Sequence, residues 1–106
     1  AHYRDAGLPQ SFHILDTTDQ LAAIKRLLKA YGIDDEKYPP RDVQRFIAAA
    51  KEEGLRPAEL EASDSHRRRL IEIYQLYEAQ CQREGVVDFA ELLLRAHELL
   101  SRNAPV

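Results

Sequence analysis

The chain has 106 residues, 44% of them hydrophobic and 31% charged, with a formal net charge of -3. That length builds one domain around one modest core, and the acidic balance excludes a global basic field drawing the chain to nucleic acid. The single cysteine, Cys81, excludes an internal disulfide and a cysteine-based zinc site.

The opening, Ala1 to Gly7, reads as the last turns of a helix whose beginning is absent, with Gly7 as its stop and Pro9 beyond. With no methionine anywhere, the chain is expected to be a piece of a larger one. Leu8 to Leu15 reads as a connecting loop pinned by Phe12, Ile14 and Leu15, with no partner strand evident. A first full helix is expected from Asp16 or Thr17, where Thr17 and Gln20 have the spacing of a capping box. Its apolar positions, Leu21, Ala22, Ile24, Leu27, Leu28 and Tyr31, recur at helical steps until Gly32.

A polar loop, 33–39, leads to Pro40, which suits the first turn of a second helix because its missing N–H has no partner there anyway. Val43, Phe46, Ile47 and Ala50 form the stripe of that helix and Gly54 closes it. Residues 56–60 form a short helical turn. A third and longest helix is expected from Ser63 or Asp64 to Gly85, with Leu70, Ile73, Tyr74, Tyr77 and Cys81 on one face.

The fourth helix has the most fully written start. Asp88 is placed to cap it, Glu91 to reach back to the N–H of Asp88, and Val87 and Leu92 to close a hydrophobic staple. Phe89, Leu92, Leu93, Ala96, Leu99 and Leu100 make its apolar stripe, and Asn103-Ala104-Pro105 ends it. The expected fold is all-α: one helical domain over 1–106, a small orthogonal bundle of about four main helices.

Little chemistry is written on these helices. The glycines Gly7, Gly32, Gly54 and Gly85 all fall at helix ends and not in a phosphate loop, and positive φ explains them. His2, His13, His66 and His97 are scattered, and the acidic run 34–36 lacks calcium-loop spacing, so no metal site is expected. No nucleophile elbow exists, and the capping box accounts for both Asp88 and Glu91, so no catalytic residue is assigned. Arg67, Arg68 and Arg69 read as a solvated face with Glu72 as a partner. Arg41, Arg45, Lys51 and Arg56 surround the second helix's stripe without belonging to it, and Arg41 with the helix N-terminal amides has the means to hold a phosphate.

Four ordered stretches carry a family resemblance: Leu8-Pro9-Gln10-Ser11-Phe12 running on from Ile14 to Leu21; Pro39-Pro40-Arg41; Lys51 to Pro57; and Val87 to Leu93. Together they resemble subdomain 1B of the superfamily 1A helicases, the UvrD/PcrA/Rep group, with the UvrD branch nearest. The resemblance implies an inserted subdomain of a RecA-like, ATP-dependent helicase moving 3′ to 5′ on single-stranded DNA in repair and replication. It implies that the phosphate loop precedes this segment and the Mg²⁺-binding acidic motif follows it. ATP and Mg²⁺ thus belong to the parent, and this stretch alone holds no cofactor and no ATPase activity. It also implies contact with DNA at the single-strand/duplex junction and with the remaining helicase subdomains. By it, Arg41, Lys51 and Arg56, with Arg45 beside them, are the DNA-backbone candidates.

The alternative is a helical protein-protein interaction module unrelated to DNA, motivated by the amphipathic helices and acidic charge. No membrane partner is expected, since Leu92-Leu93-Leu94 is the longest aliphatic run against the ~20 apolar residues of a span. No signal-peptide pattern follows Ala1, and the expected location is cytoplasmic.

Overall fold

Each helix begins where a short polar side chain or a proline resolves its unpaired N–H groups. A computed structural model describes residues 13–103. Helix α1 spans Thr17–Ala30, and its cap is Asp16, whose carboxylate accepts the Asp19 N–H at 2.7 Å. This corrects the Thr17–Gln20 capping box. Asp16 is extended and one residue earlier, so Thr17 is already helical and the Gln20 side chain turns inward for another purpose. Helix α2, Pro40–Glu52, starts on Pro40 as expected. A 3-10 turn, Pro57–Glu59, is closed by the Arg56 N–H donating to Glu59 Oε1 at 2.8 Å. Helix α3, Ser65–Glu84, is capped by Asp64 and stopped by Gly85 at φ 68°.

The connector before α1 is not only a loop. His13–Leu15 forms strand β1 and Val86–Asp88 forms strand β2, and they pair in parallel with Ile14 opposite Val87. The His13 N–H also donates to the Gly85 carbonyl at 3.1 Å. So the all-helical expectation gains a two-stranded sheet joining the segment before α1 to the segment before the last helix. Helix α4, Phe89–Asn103, follows β2 directly. The expected helix end at 1–7, the pinning role of Phe12 and the stop at Ala104-Pro105 lie outside the described residues.

The core forms where α1, α2 and α3 converge: Ile24, Leu27 and Leu28; Val43, Ile47 and Ala50; Ile73, Tyr74 and Tyr77. Ile33 and Tyr38, from the loop after α1, complete it. The stripes expected for α2 and α3 therefore face inward, with Phe46, Leu70 and Cys81 half-buried at the margin, whereas α1 buries Ile24, Leu27 and Leu28 of its expected stripe and leaves Ala22 and Tyr31 exposed. The bundle of four helices agrees with the expected fold class.

Helix α4 departs from its expected facing. Of its apolar residues only Leu94, which the stripe left out, is fully buried, while Phe89, Leu93 and Leu100 are 67%, 48% and 70% exposed. The stripe exists, but it straddles the margin of the bundle: Leu92 and Leu99 are half-buried, while Phe89, Leu93, Ala96 and Leu100 are turned outward.

Gly54 sits at φ +78°, and a Cβ there would lie 3.0 Å from the His97 ring on α4; Gly32, at φ +64°, has open space around it. Both positions disfavour L-residues by about 1–2 kcal/mol. Gly54→Ala is expected to lower the urea midpoint more than Gly32→Ala, because it must also displace His97. Equal losses would show that His97 yields freely.

A buried charge cluster as the candidate functional site

Lys51 continues the buried stripe of α2, four residues after Ile47, and is only 3% exposed. An ammonium so placed requires paired charge. Its Nζ lies 3.0 Å from Asp88 Oδ2 and 3.1 Å from Glu91 Oε1. The Tyr77 ring faces it at 5.2 Å, within cation–π range.

Asp88 collects donors from all four helices. Its Oδ2 accepts from Lys51 Nζ, from Tyr77 Oη at 2.7 Å and from Gln20 Nε2 at 3.1 Å; its Oδ1 accepts the Glu91 N–H at 2.6 Å. The last bond is the expected cap of α4. Gln20 is held in turn by Gln44 Nε2, which donates to Gln20 Oε1 at 3.1 Å and to the Thr17 carbonyl at 3.0 Å. Among the described residues every buried side-chain polar atom has a hydrogen-bond partner, the condition for such a network to be stable.

A second clamp lies along α4. Arg56 donates through Nε and Nη2 to the two oxygens of Glu98, at 2.9 and 2.8 Å, a bidentate fork. Its Nη1 reaches Glu91 Oε1 at 3.0 Å and also Glu78. Arg95 pairs with Glu91 from within the same helix. The Glu91 side chain therefore serves three cations and not the backbone of Asp88, which corrects the reciprocal half of the capping box. Three cations (Lys51, Arg56, Arg95) face four carboxylates (Glu78, Asp88, Glu91, Glu98).

The environment shifts these groups in opposed directions. Burial would raise the Glu91 carboxyl, but Lys51, Arg95 and Arg56 together hold it below the ordinary value. The Arg56 hydrogen bonds hold Glu98 low as well, while burial leaves Glu78 raised. A lowered carboxyl stabilises the fold above its unfolded pKa and loses that contribution as pH falls through its folded pKa. Stability is thus expected to drop as pH falls below the ordinary carboxylate value of 4.5, through Glu91 and Glu98. Glu78 has the opposite sign: part of its contribution is lost as pH rises through its raised pKa. Thermal melts from pH 7 to 3 test this, and a midpoint that stays level would remove the cluster's ionic role. Burial also pushes the Cys81 thiol up to about 11, so it is no reactive thiolate at neutral pH.

Two of the four DNA-backbone candidates are corrected by this geometry. Lys51 belongs to the stripe and spends its charge on Asp88 and Glu91, and Arg56 is turned into Glu78, Glu91 and Glu98. Arg41 and Arg45 remain on the outer face of α2, where Arg45 makes only a loose, exposed pair with Asp42 at 3.6 Å. In the arginine run, Arg69 pairs with Glu72 at 2.7 Å as expected, and Arg67 lies over the Phe46 ring at 5.3 Å. The cluster's other members, Gln20, Tyr77, Glu78, Arg95 and Glu98, are not singled out for it by any motif or spacing. The one visible signal is a lysine on stripe spacing. Among the described residues no group of side chains is arranged to hold a metal ion.

Fold and site define a class: a small helical module built around a buried charge cluster whose side chains are all hydrogen-bonded. Its sequence matches the UvrD/REP helicase N-terminal domain over residues 1–106, and the chain belongs to that family. It is 50% identical over 103 residues to DNA helicase II of Haemophilus influenzae, covering 96% of this chain and 14% of that protein. It is 49% identical over 100 residues to DNA helicase II of Escherichia coli, covering 93% and 14%. The ATP-dependent DNA helicase PcrA of Staphylococcus aureus is 36% identical over 104 residues, covering 93% and 14%. The chain thus spans 14% of the length of these relatives.

Proposed function

We propose that this chain is an accessory, DNA-contacting subdomain of an ATP-dependent 3′–5′ DNA helicase acting in repair and replication in the cytoplasm. The observation that carries the reading is the 50% identity to a DNA helicase II across 96% of the chain. The position corresponds to subdomain 1B. In this reading ATP and Mg²⁺ are held by the flanking parts of the parent. Among the described residues no helix is long and apolar enough to cross a membrane.

In this reading Arg41 and Arg45, four residues apart on the exposed face of α2, contact backbone phosphates at the single-strand/duplex junction. The outward row of α4 seats the remaining helicase subdomains. Arg41→Glu/Arg45→Glu in the full-length parent is expected to weaken binding to a labelled junction DNA. The slope of log K against log salt should become shallower by about 1 for each phosphate no longer neutralised. Anisotropy titrations across a salt series measure both, and unchanged affinity and slope would end the role of these arginines.

The exposed row on α4 also favours a second reading, a helical protein-interaction module. A partner captured equally by the isolated chain and by the parent, without DNA, would support that reading.

A further inference from the structure

Helix α4 turns two carboxylates inward and a row of apolar residues outward, with Leu92 and Leu99 half-buried between them. Glu91, Leu94 and Glu98 face the bundle, whereas Phe89, Leu93, Ala96 and Leu100 are exposed. Apolar burial alone would favour the opposite roll, so something directional must hold the helix as it is.

We propose that the buried charge cluster is an orienting device: Lys51 and Arg56 fix the roll of α4 through Asp88, Glu91 and Glu98, and so hold Phe89, Leu93 and Leu100 outward. The inference rests on geometry alone and stands whether or not the helicase reading does. Apolar contact is non-directional, but the ion pairs here are not. Asp88 receives donors from α1, α2, α3 and the first turn of α4, which fixes the helix start against every other helix. The Arg56–Glu98 fork holds the same face further along, seven residues beyond Glu91 in the sequence. One clamp would leave a pivot, whereas two on one face set a roll. Rolling α4 to bury Phe89 and Leu93 would carry Glu91 away from the Lys51 ammonium and Glu98 away from Arg56, leaving Lys51 between the Tyr74 and Tyr77 rings with Asp88 alone as counter-charge, and breaking a buried pair in this way is strongly destabilising. These five residues are positioning residues, acting through α4.

Thiol labelling of the isolated chain reads the roll directly. In a Cys81→Ala background, Leu93→Cys and Leu94→Cys report the outward and inward faces. Labelling at 93 is expected to be at least about tenfold faster than at 94, because the inward thiol reacts only on local opening. The cluster is then neutralised with Lys51→Met/Asp88→Asn/Glu91→Leu, in which the amide introduced at position 88 keeps a capping oxygen. The ratio is expected to fall about tenfold or invert while circular dichroism shows helicity retained. A variant that stays helical and keeps the original ratio overturns the proposal. Should the triple variant lose helicity, Arg56→Gln removes only the second clamp. A fall of about threefold or more in the ratio supports the proposal there, and an unchanged ratio in that folded variant overturns it.

Discussion

Lys51→Met is expected to lower the unfolding free energy by about 3–5 kcal/mol, the cost of removing one partner from a buried ion pair. Methionine matches the lysine stem in length, so the packing against Tyr74 and Tyr77 is largely kept and the loss isolates the charge. What it leaves behind is the cause: Asp88 and Glu91, 3% and 5% exposed, without the ammonium that sits 3.0 and 3.1 Å from them. Arg56 and Arg95 still reach Glu91, but Asp88 keeps only neutral donors. A domain of this size has about 5–15 kcal/mol in total, so the variant is expected to be marginal at 37 °C. Urea denaturation at pH 7 measures the loss, and a cost below about 1 kcal/mol would place Lys51 among weak surface pairs.

The network also explains which parts of the molecule are legible in the sequence. Helix boundaries are local problems and agree with expectation: Pro40 opens α2, Asp64 and Gly85 bracket α3, and Asp88 caps α4. The inward stripes of α2 and α3 are legible because their apolar residues outnumber polar ones on one face, and the core takes that face. The α1 cap differs by one residue because Asp16, Thr17 and Thr18 are all short polar side chains in a row, and spacing alone does not choose among them.

What stays hidden depends on pairs distant in the chain. The β1–β2 pairing joins three-residue strands far apart in the described segment, too short to show periodicity. Periodicity finds a stripe on α4 but not the side it faces, and that side is set by cations on α2 and after Gly54. For the same reason Lys51 and Arg56 resemble surface charge: their carboxylates arrive from 35 to 42 residues downstream in Asp88, Glu91 and Glu98, or from Glu78 at 22. Lys51 stands on stripe spacing after Val43 and Ile47, and a lysine there is either a misplaced stripe or a buried pair. Spacing alone does not decide between them; the burial of Lys51 against Asp88 and Glu91 does, and Arg41 and Arg45 are the arginines left exposed on α2.

Leu93 and Leu94, adjacent in sequence and identical in chemistry, give the sharpest test of how α4 is turned. Leu94 is fully buried and Leu93 is 48% exposed. Leu94→Ala is therefore expected to cost about 2–5 kcal/mol, the transfer term plus the cavity left behind. Leu93→Ala, at an exposed position on a helix that alanine favours, should fall within about 0.5 kcal/mol of the parent. The stripe drawn from periodicity includes Leu93 and omits Leu94, so the opposite facing predicts the reverse order, and urea midpoints of the two variants separate the two arrangements without any ligand. The pair also reports on what covers the helix. If the outward row seats a neighbouring subdomain in the parent, Leu93→Ala should become costly there while Leu94→Ala keeps the cost it has in the isolated chain. A Leu93→Ala variant that stays silent in both settings would leave the row uncovered.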